Sequence, residues 1–143
     1  FYPHFDKLYP GSKFILTVRD KDDWLASCSR HWYNRPAFKD FDDPDEGIHL
    51  RMRQFLRAAV YGCYNFDPER FSHVYDQHVR SVMEYFKDRP EDLLIIDICS
   101  GEGFSKLADF LDRPVPAAPF PHKGAVLSAM MTAEAEPQSA RVA

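Results

Sequence analysis

A chain of 143 residues, 45% hydrophobic and 15% aromatic, is one domain's worth or less and can bury a core, which excludes global disorder. Its formal net charge of −4 excludes a general nucleic-acid or membrane-surface binder. No apolar run approaches the ~18–20 residues that span a bilayer. The three cysteines, Cys28, Cys63 and Cys99, are widely spaced inside apolar patterns. They read as buried thiols in a reducing, cytoplasmic setting, not as a disulfide frame or a metal knuckle. The chain opens on Phe1 with neither Met nor signal peptide, so the expectation is that its front is truncated.

In chain order, residues 1–9 read as the end of a helix closed by the turn Pro10-Gly11-Ser12. Lys13–Val18 is rich in Phe, Ile, Leu, Thr and Val without alternation, the pattern of a parallel strand buried on both faces. A helix is predicted from about Lys21 to Tyr33, with Asp20 as its N-cap and Asp23 in the first turn, where acids suit the helix dipole. The segment 34–47, with Pro36, Pro44 and five acids between Asp40 and Glu46, reads as a solvated loop. Ile48, Met52, Phe55, Leu56, Ala59, Val60 and Cys63 recur at helical spacing and predict an inward helix face over 48–63.

Asp67-Pro68 marks a further helix start, cap then Pro at the first position. Phe71, Val74, Tyr75, His78, Val79, Val82 and Phe86 form its inner face, which makes His78 a core histidine. Leu93–Ile98 is the second buried strand. Ser100 to Gly103 turns the chain into a last helix that buries Phe104, Leu107, Ala108 and Leu111. The chain then becomes Pro-rich, and 127–143 lacks a core pattern and reads as a mobile tail after a domain spanning 1–126. The fold class is α/β, with parallel strands flanked by helices. Two strands alone make a poor independent sheet, so further strands are expected upstream or from another chain.

Chemistry concentrates where the first strand meets its helix. The first-turn N–H groups point into the crevice beyond the strand's C-terminal end, the usual ligand position in open α/β sheets. Arg19 adds a permanent charge with a fork suited to phosphate, and Ser27, two turns on, adds a hydroxyl. The bland alternative pairs Arg19 with Asp22 or Asp23 and turns Ser27 towards a neighbouring helix. Spacing alone leaves the two open.

An Arg at a strand end with a Ser eight residues later resembles the 3′-phosphate segment of sulfotransferases that use 3′-phosphoadenosine-5′-phosphosulfate (PAPS). Tyr61-Gly62, His78-Val-Arg-Ser-Val82, Leu93-Leu-Ile-Ile-Asp-97, Phe110-Leu-Asp-Arg-Pro-Val-Pro116 and Pro119-Phe-Pro-His122 follow in the order of the family's bacterial-type branch. The likeness covers about residues 1–126 and fits the C-terminal half of a P-loop-like domain. It implies transfer of a sulfuryl group from PAPS to a small-molecule hydroxyl or amine. Arg19 and Ser27 are then the grips on the 3′-phosphate, Lys123 with Gly124 a closing basic loop, and Tyr61 the aromatic beside the adenine. The 5′-phosphosulfate loop and the catalytic histidine have no match in this chain and are expected upstream of Phe1. A homo-oligomer stays open.

Other motifs carry less. Pro10-Gly-Ser-Lys13 precedes a strand where a phosphate loop must follow one, so it is a turn. Ile95-Ile-Asp-Ile-Cys-Ser-Gly101-Glu-Gly103 resembles the nucleotide loop of S-adenosylmethionine-dependent methyltransferases, a rival reading. A third is a non-catalytic remnant or helical interaction module. The histidines show no metal-ligand spacing. Arg51, Arg53 and Arg57 read as the solvated side of their helix.

Overall fold

A computed structural model describes residues 1–33 and 44–121. Two compact units divide the chain, Phe1–Glu102 and a second from Gly103 onward. In the first, helix α1 (Tyr2–Leu8) leads through a turn to strand β1 (Phe14–Thr17) and helix α2 (Lys21–Tyr33). Helices α3 (Pro44–Tyr61) and α4 (Pro68–Tyr85) follow, then a 3₁₀ turn at Pro90–Asp92 and strand β2 (Leu93–Ile96). The two strands pair in parallel, Phe14 opposite Leu93 and Thr17 opposite Ile96. The class is α/β, as the unalternating apolar runs predict.

Local signals set most boundaries. Asp20 caps α2 by accepting the Asp23 N–H at 3.0 Å. Asp67 caps α4 through the Arg70 N–H at 2.7 Å, with Pro68 at the first helical position. Gly62, at φ +69°, ends α3 in the left-handed region, its N–H donating to the Ala58 carbonyl at 2.9 Å.

One core lies between β1 and the C-terminal half of α4. Leu16, Val82 and Phe86 are buried there, with Tyr2, Phe14, Val79 and Ile95 packed around them. A second forms around Phe71, which is fully buried. Its ring stacks on Tyr61 at 3.8 Å and meets Trp32 and Phe66 edge-on at 4.8 and 4.9 Å; Trp24 lies 6.0 Å away. One side chain thereby joins α2, α3 and α4.

Helix α1 is tied to the end of α4 by charge. Asp6 accepts from Arg89 Nη1 at 3.0 Å, from Tyr85 Oη at 2.8 Å and, closer still, from Arg89 Nη2. Arg89 and then Tyr85 hold the Asp6 carboxyl below its ordinary value of 3.8. A carboxylate lowered in the folded state stabilises above its unfolded value, and that contribution disappears as pH falls through the folded one. Urea titrations of the wild type should therefore lose stability as pH drops below about 3.8, and more steeply than those of Asp6→Asn. Parallel curves for the two proteins would rule the triad out as an acid-sensitive tie.

The structure corrects several expectations. β1 is not buried on both faces: Leu16 is inside, but Ile15 is 48% exposed. Helix α3 begins at Pro44, so 44–47 is helical. The predicted inner face of α3 points outward, with Ile48, Met52, Phe55, Leu56 and Val60 each 54% to 66% exposed. Inward instead comes the stripe Leu50, Arg57 and Tyr61. Arg57 is 6% exposed, not solvated: its guanidinium lies 3.9 Å over the Trp32 ring and Nη1 donates to the Tyr64 carbonyl at 3.1 Å. His78 is exposed rather than buried. Cys28 and Cys63 are only half-buried and Cys99 is exposed; all three are free thiols.

In the second unit, Gly103 opens helix α5 (Phe104–Leu111), whose Ala108 is buried while Leu111 stays 40% exposed. Phe104 meets Phe120 at 4.7 Å. The acidic run from Asp40 to Asp43 and the tail from His122 on lie outside the described residues. Among the described residues no helix is long and apolar enough to cross a membrane, and no cluster of metal-ligating side chains occurs.

Candidate functional site

The last rung of the β1–β2 ladder is the Val18 N–H donating to the Ile96 carbonyl at 2.9 Å. The next residue is Arg19, at the C-terminal end of the parallel pair and immediately before the α2 cap. Its side chain is half-buried, and its Nε is buried without a hydrogen-bond partner. The expected competitors do not take it: among the described residues Arg19 joins no salt bridge, and the nearby ion pair is Lys21 with Asp76 at 3.0 Å. A buried guanidinium N–H left unpaired is costly, about 1–3 kcal/mol and more for a charged group. The site therefore has an unmet demand for an acceptor.

Around Arg19 three elements converge. Tyr75 of α4 bonds its main chain on both sides, Oη donating to the Arg19 carbonyl at 2.8 Å and accepting from the Arg19 N–H at 3.1 Å. The Cys28 thiol lies close enough to feel the guanidinium. Burial raises its pKa, and Arg19 partly opposes the rise. Cys28 in turn acts on Tyr61, whose phenol is raised first by burial, then by Cys28 and Cys63. Both thiols thus stay protonated near neutrality and are poor nucleophiles. Ser27 precedes Cys28 on α2 and is half-buried. Cys28 thus links Arg19 to Tyr61 electrostatically, and Ser27 is its neighbour in sequence. Lys123 and Gly124 lie outside the described residues.

Tyr61 sits where α3 ends, and the dipeptide Tyr61-Gly62 has a local reason. The left-handed Gly62 turns the chain so that the Tyr61 carbonyl accepts from Arg70 Nε at 2.6 Å. A methyl group at Gly62 would stand 2.9 Å from Arg70 Nη2, so the glycine also makes room for that arginine. One face of the Tyr61 ring is covered by Phe71. Tyr61 also lines a cleft of about 560 Å³ between β1 and helices α2 to α4, together with Thr17, Trp24, Val74, Tyr75 and His78. Sequence reasoning missed Tyr75 as part of this site, because its helical spacing reads simply as core.

The rival nucleotide loop after β2 is closed on itself. Asp97 Oδ1 accepts the N–H groups of Cys99 and Ser100 at 2.9 and 3.0 Å. The Ser100 hydroxyl donates to the Asp97 carbonyl at 2.9 Å, so it caps this turn and not α5. Glu102 Oε2 accepts the Asp97 N–H at 2.6 Å. The Gly101 and Glu102 N–H groups donate to the Ile98 and Asp97 carbonyls. The N–H groups of Asp97 and of residues 99 to 102 are therefore all engaged within the turn. Gly101, at φ +98°, needs its glycine; Gly103, at φ −143°, is outside the left-handed region. Gly101→Ala should cost about 1–2 kcal/mol of stability through backbone strain, since nothing lies within 4 Å of the added carbon. Nucleotide affinity of the folded protein should not change. A selective loss of nucleotide binding at full stability would reopen the methyltransferase reading.

The sequence profile of the sulfotransferase domain family matches residues 1–126. The chain belongs to the sulfotransferase domain family. It is also 27% identical over 129 residues to the Ava biosynthesis cluster protein M of Aspergillus versicolor, an alignment that covers 80% of this chain and 46% of that protein. The chain thus spans about half the length of this curated relative. Family membership overturns the methyltransferase alternative, in agreement with the closed turn at Asp97. Membership of this family and an α/β class with parallel strands are what the ordered motifs implied.

Proposed function

We propose that this chain forms the adenosine 3′-phosphate side of a PAPS-dependent sulfotransferase that acts on a small-molecule hydroxyl or amine. The observation that carries the reading is the unpartnered, buried Nε of Arg19 at the C-terminal end of a parallel strand. A phosphate oxygen is an acceptor of the right charge for that donor, and the guanidinium fork offers it a two-point grip. The residues present fit a phosphate: Arg19 supplies charge and Ser27 a hydroxyl. Tyr61 would bound the base on its free face, and Lys123 with Gly124 would close over the same phosphate.

In sulfuryl transfer a bond between sulfur and the donor's phosphate oxygen breaks as one to the acceptor oxygen or nitrogen forms, and the acceptor's proton leaves to a base. The contribution assigned to this chain is to bind and orient the donor, terms that reduce the barrier by holding reactants in line. No histidine of the chain is assigned the base. His78, exposed at the cleft, has no placement here relative to an acceptor.

Titration calorimetry against adenosine 3′,5′-bisphosphate and adenosine 5′-phosphate tests the reading. The wild type should favour the bisphosphate, and Arg19→Ala should weaken it by about 1.5–3 kcal/mol, the range for hydrogen bonds to charged groups. The monophosphate should be nearly unaffected. Equal losses for both nucleotides would show that Arg19 does not read the 3′-phosphate.

A further inference from the structure

A residue just past the end of a strand must find new partners for its N–H and C=O, or leave them to water. Arg19 finds both on one atom. The Tyr75 hydroxyl accepts from its N–H and donates to its carbonyl, at 3.1 and 2.8 Å, across a sequence separation of 56 residues. A phenol is suited to this because it is donor and acceptor at once. Two bonds to one residue from a rigid ring restrain the main chain on either side of the Arg19 Cα. Tyr75 is itself restrained: its ring packs against Trp24 of α2 at 4.8 Å. Its neighbour Asp76 pairs with Lys21 at 3.0 Å. The ring also forms one wall of the cleft that Tyr61 lines.

We infer that Tyr75 is a positioning residue: it sets the Arg19 main chain so that the unpaired guanidinium N–H faces the bound phosphate. This rests on the reading of Arg19 as the 3′-phosphate grip. A main chain just past the end of a strand could otherwise flex and carry the guanidinium away from the phosphate, and that backbone freedom would be lost on binding. Fixing the Cα in advance moves that cost into folding, which raises affinity for the doubly phosphorylated nucleotide without adding a contact to it. The hydroxyl, not the ring, is the specific element. Ring packing against Trp24 would persist in a phenylalanine, whereas both bonds to Arg19 would go.

The test is a double-mutant cycle of wild type, Tyr75→Phe, Arg19→Ala and the pair, each titrated with adenosine 3′,5′-bisphosphate and adenosine 5′-phosphate. Tyr75→Phe should weaken the bisphosphate by about 3–10-fold, the range expected for one or two neutral hydrogen bonds, and leave the monophosphate unchanged. In the Arg19→Ala background it should add nothing. Amide exchange at Arg19 should speed up in Tyr75→Phe. Should Tyr75→Phe fail to fold, O-methyltyrosine, which keeps the ring but cannot donate, carries the same comparison. Equal losses for both nucleotides, or the same loss with and without Arg19, would reduce Tyr75 to a structural part of the core. Intact discrimination in Tyr75→Phe would overturn the inference alone. A wild type that does not discriminate would overturn the 3′-phosphate reading, and this one with it.

Discussion

Phe71→Ala is expected to cost about 3–5 kcal/mol of stability, the range for removing a fully buried aromatic ring. Phe71 of α4 is wholly buried and touches side chains of α2 and α3, so no single element can collapse into the space it leaves. The loss should exceed that of Phe71→Leu, which retains part of the volume. The chain's two tryptophans, Trp24 and Trp32, both lie within 6.0 Å of this ring, so their fluorescence reports on it directly. Emission should shift to the red in the folded variant, before any unfolding. A denaturant midpoint and an emission maximum both unchanged would show that Phe71 does not organise the three helices.

Arg57→Met should cost about 2–4 kcal/mol, whereas Arg51→Ala, on the exposed side of the same helix, should stay within about 0.5 kcal/mol of wild type. The contrast follows from contacts. The Arg57 guanidinium lies 3.9 Å over Trp32, and a desolvated cation on indole is worth about 2 kcal/mol. Methionine keeps much of the stem but abandons the Tyr64 carbonyl, which Arg57 Nη1 bonds at 3.1 Å. Chemical denaturation of the two variants at matched pH measures the difference. Equal stabilities would mean that Arg57 is replaceable by any long side chain.

Arg57 also shows where sequence reasoning stops. Caps and turns were legible because they depend on neighbours a few residues apart: Asp20 before α2, Asp67-Pro68 before α4 and Gly11 at its turn, although the stop at Gly62 fell inside the helix predicted over 48–63. The strand-to-helix step that carries Arg19 and Ser27 was legible for the same reason. The orientation of α3 was not. Periodicity shows that a helix has an apolar face but not which face this stretch of chain covers. Here the covered stripe is Leu50, Arg57 and Tyr61, at spacings of seven and four, and its arginine reads as a solvent residue. Tyr61 on the same stripe, already suspected of a role, was the one hint. Tyr75 was illegible as a partner of Arg19 because 56 residues separate them and only the fold brings them together.

The pairing of β1 with β2 sets the order in which these parts can exist. Phe14 faces Leu93, so β1 leaves the ribosome about 80 residues ahead of its partner strand, a delay on the order of 4–16 s at ~5–20 residues per second. Such a distant contact must close a long loop before it gains anything, which makes it slow relative to helix formation. The Trp24, Trp32 and Phe71 cluster can assemble while β2 is still inside the ribosome. The strand end that carries Arg19 is completed only when the Ile96 carbonyl arrives to hold Val18. A nascent chain whose β2 is still inside the ribosome lacks that rung, and on the proposed reading of Arg19 nucleotide capture during translation would be a clock for the last step of assembly.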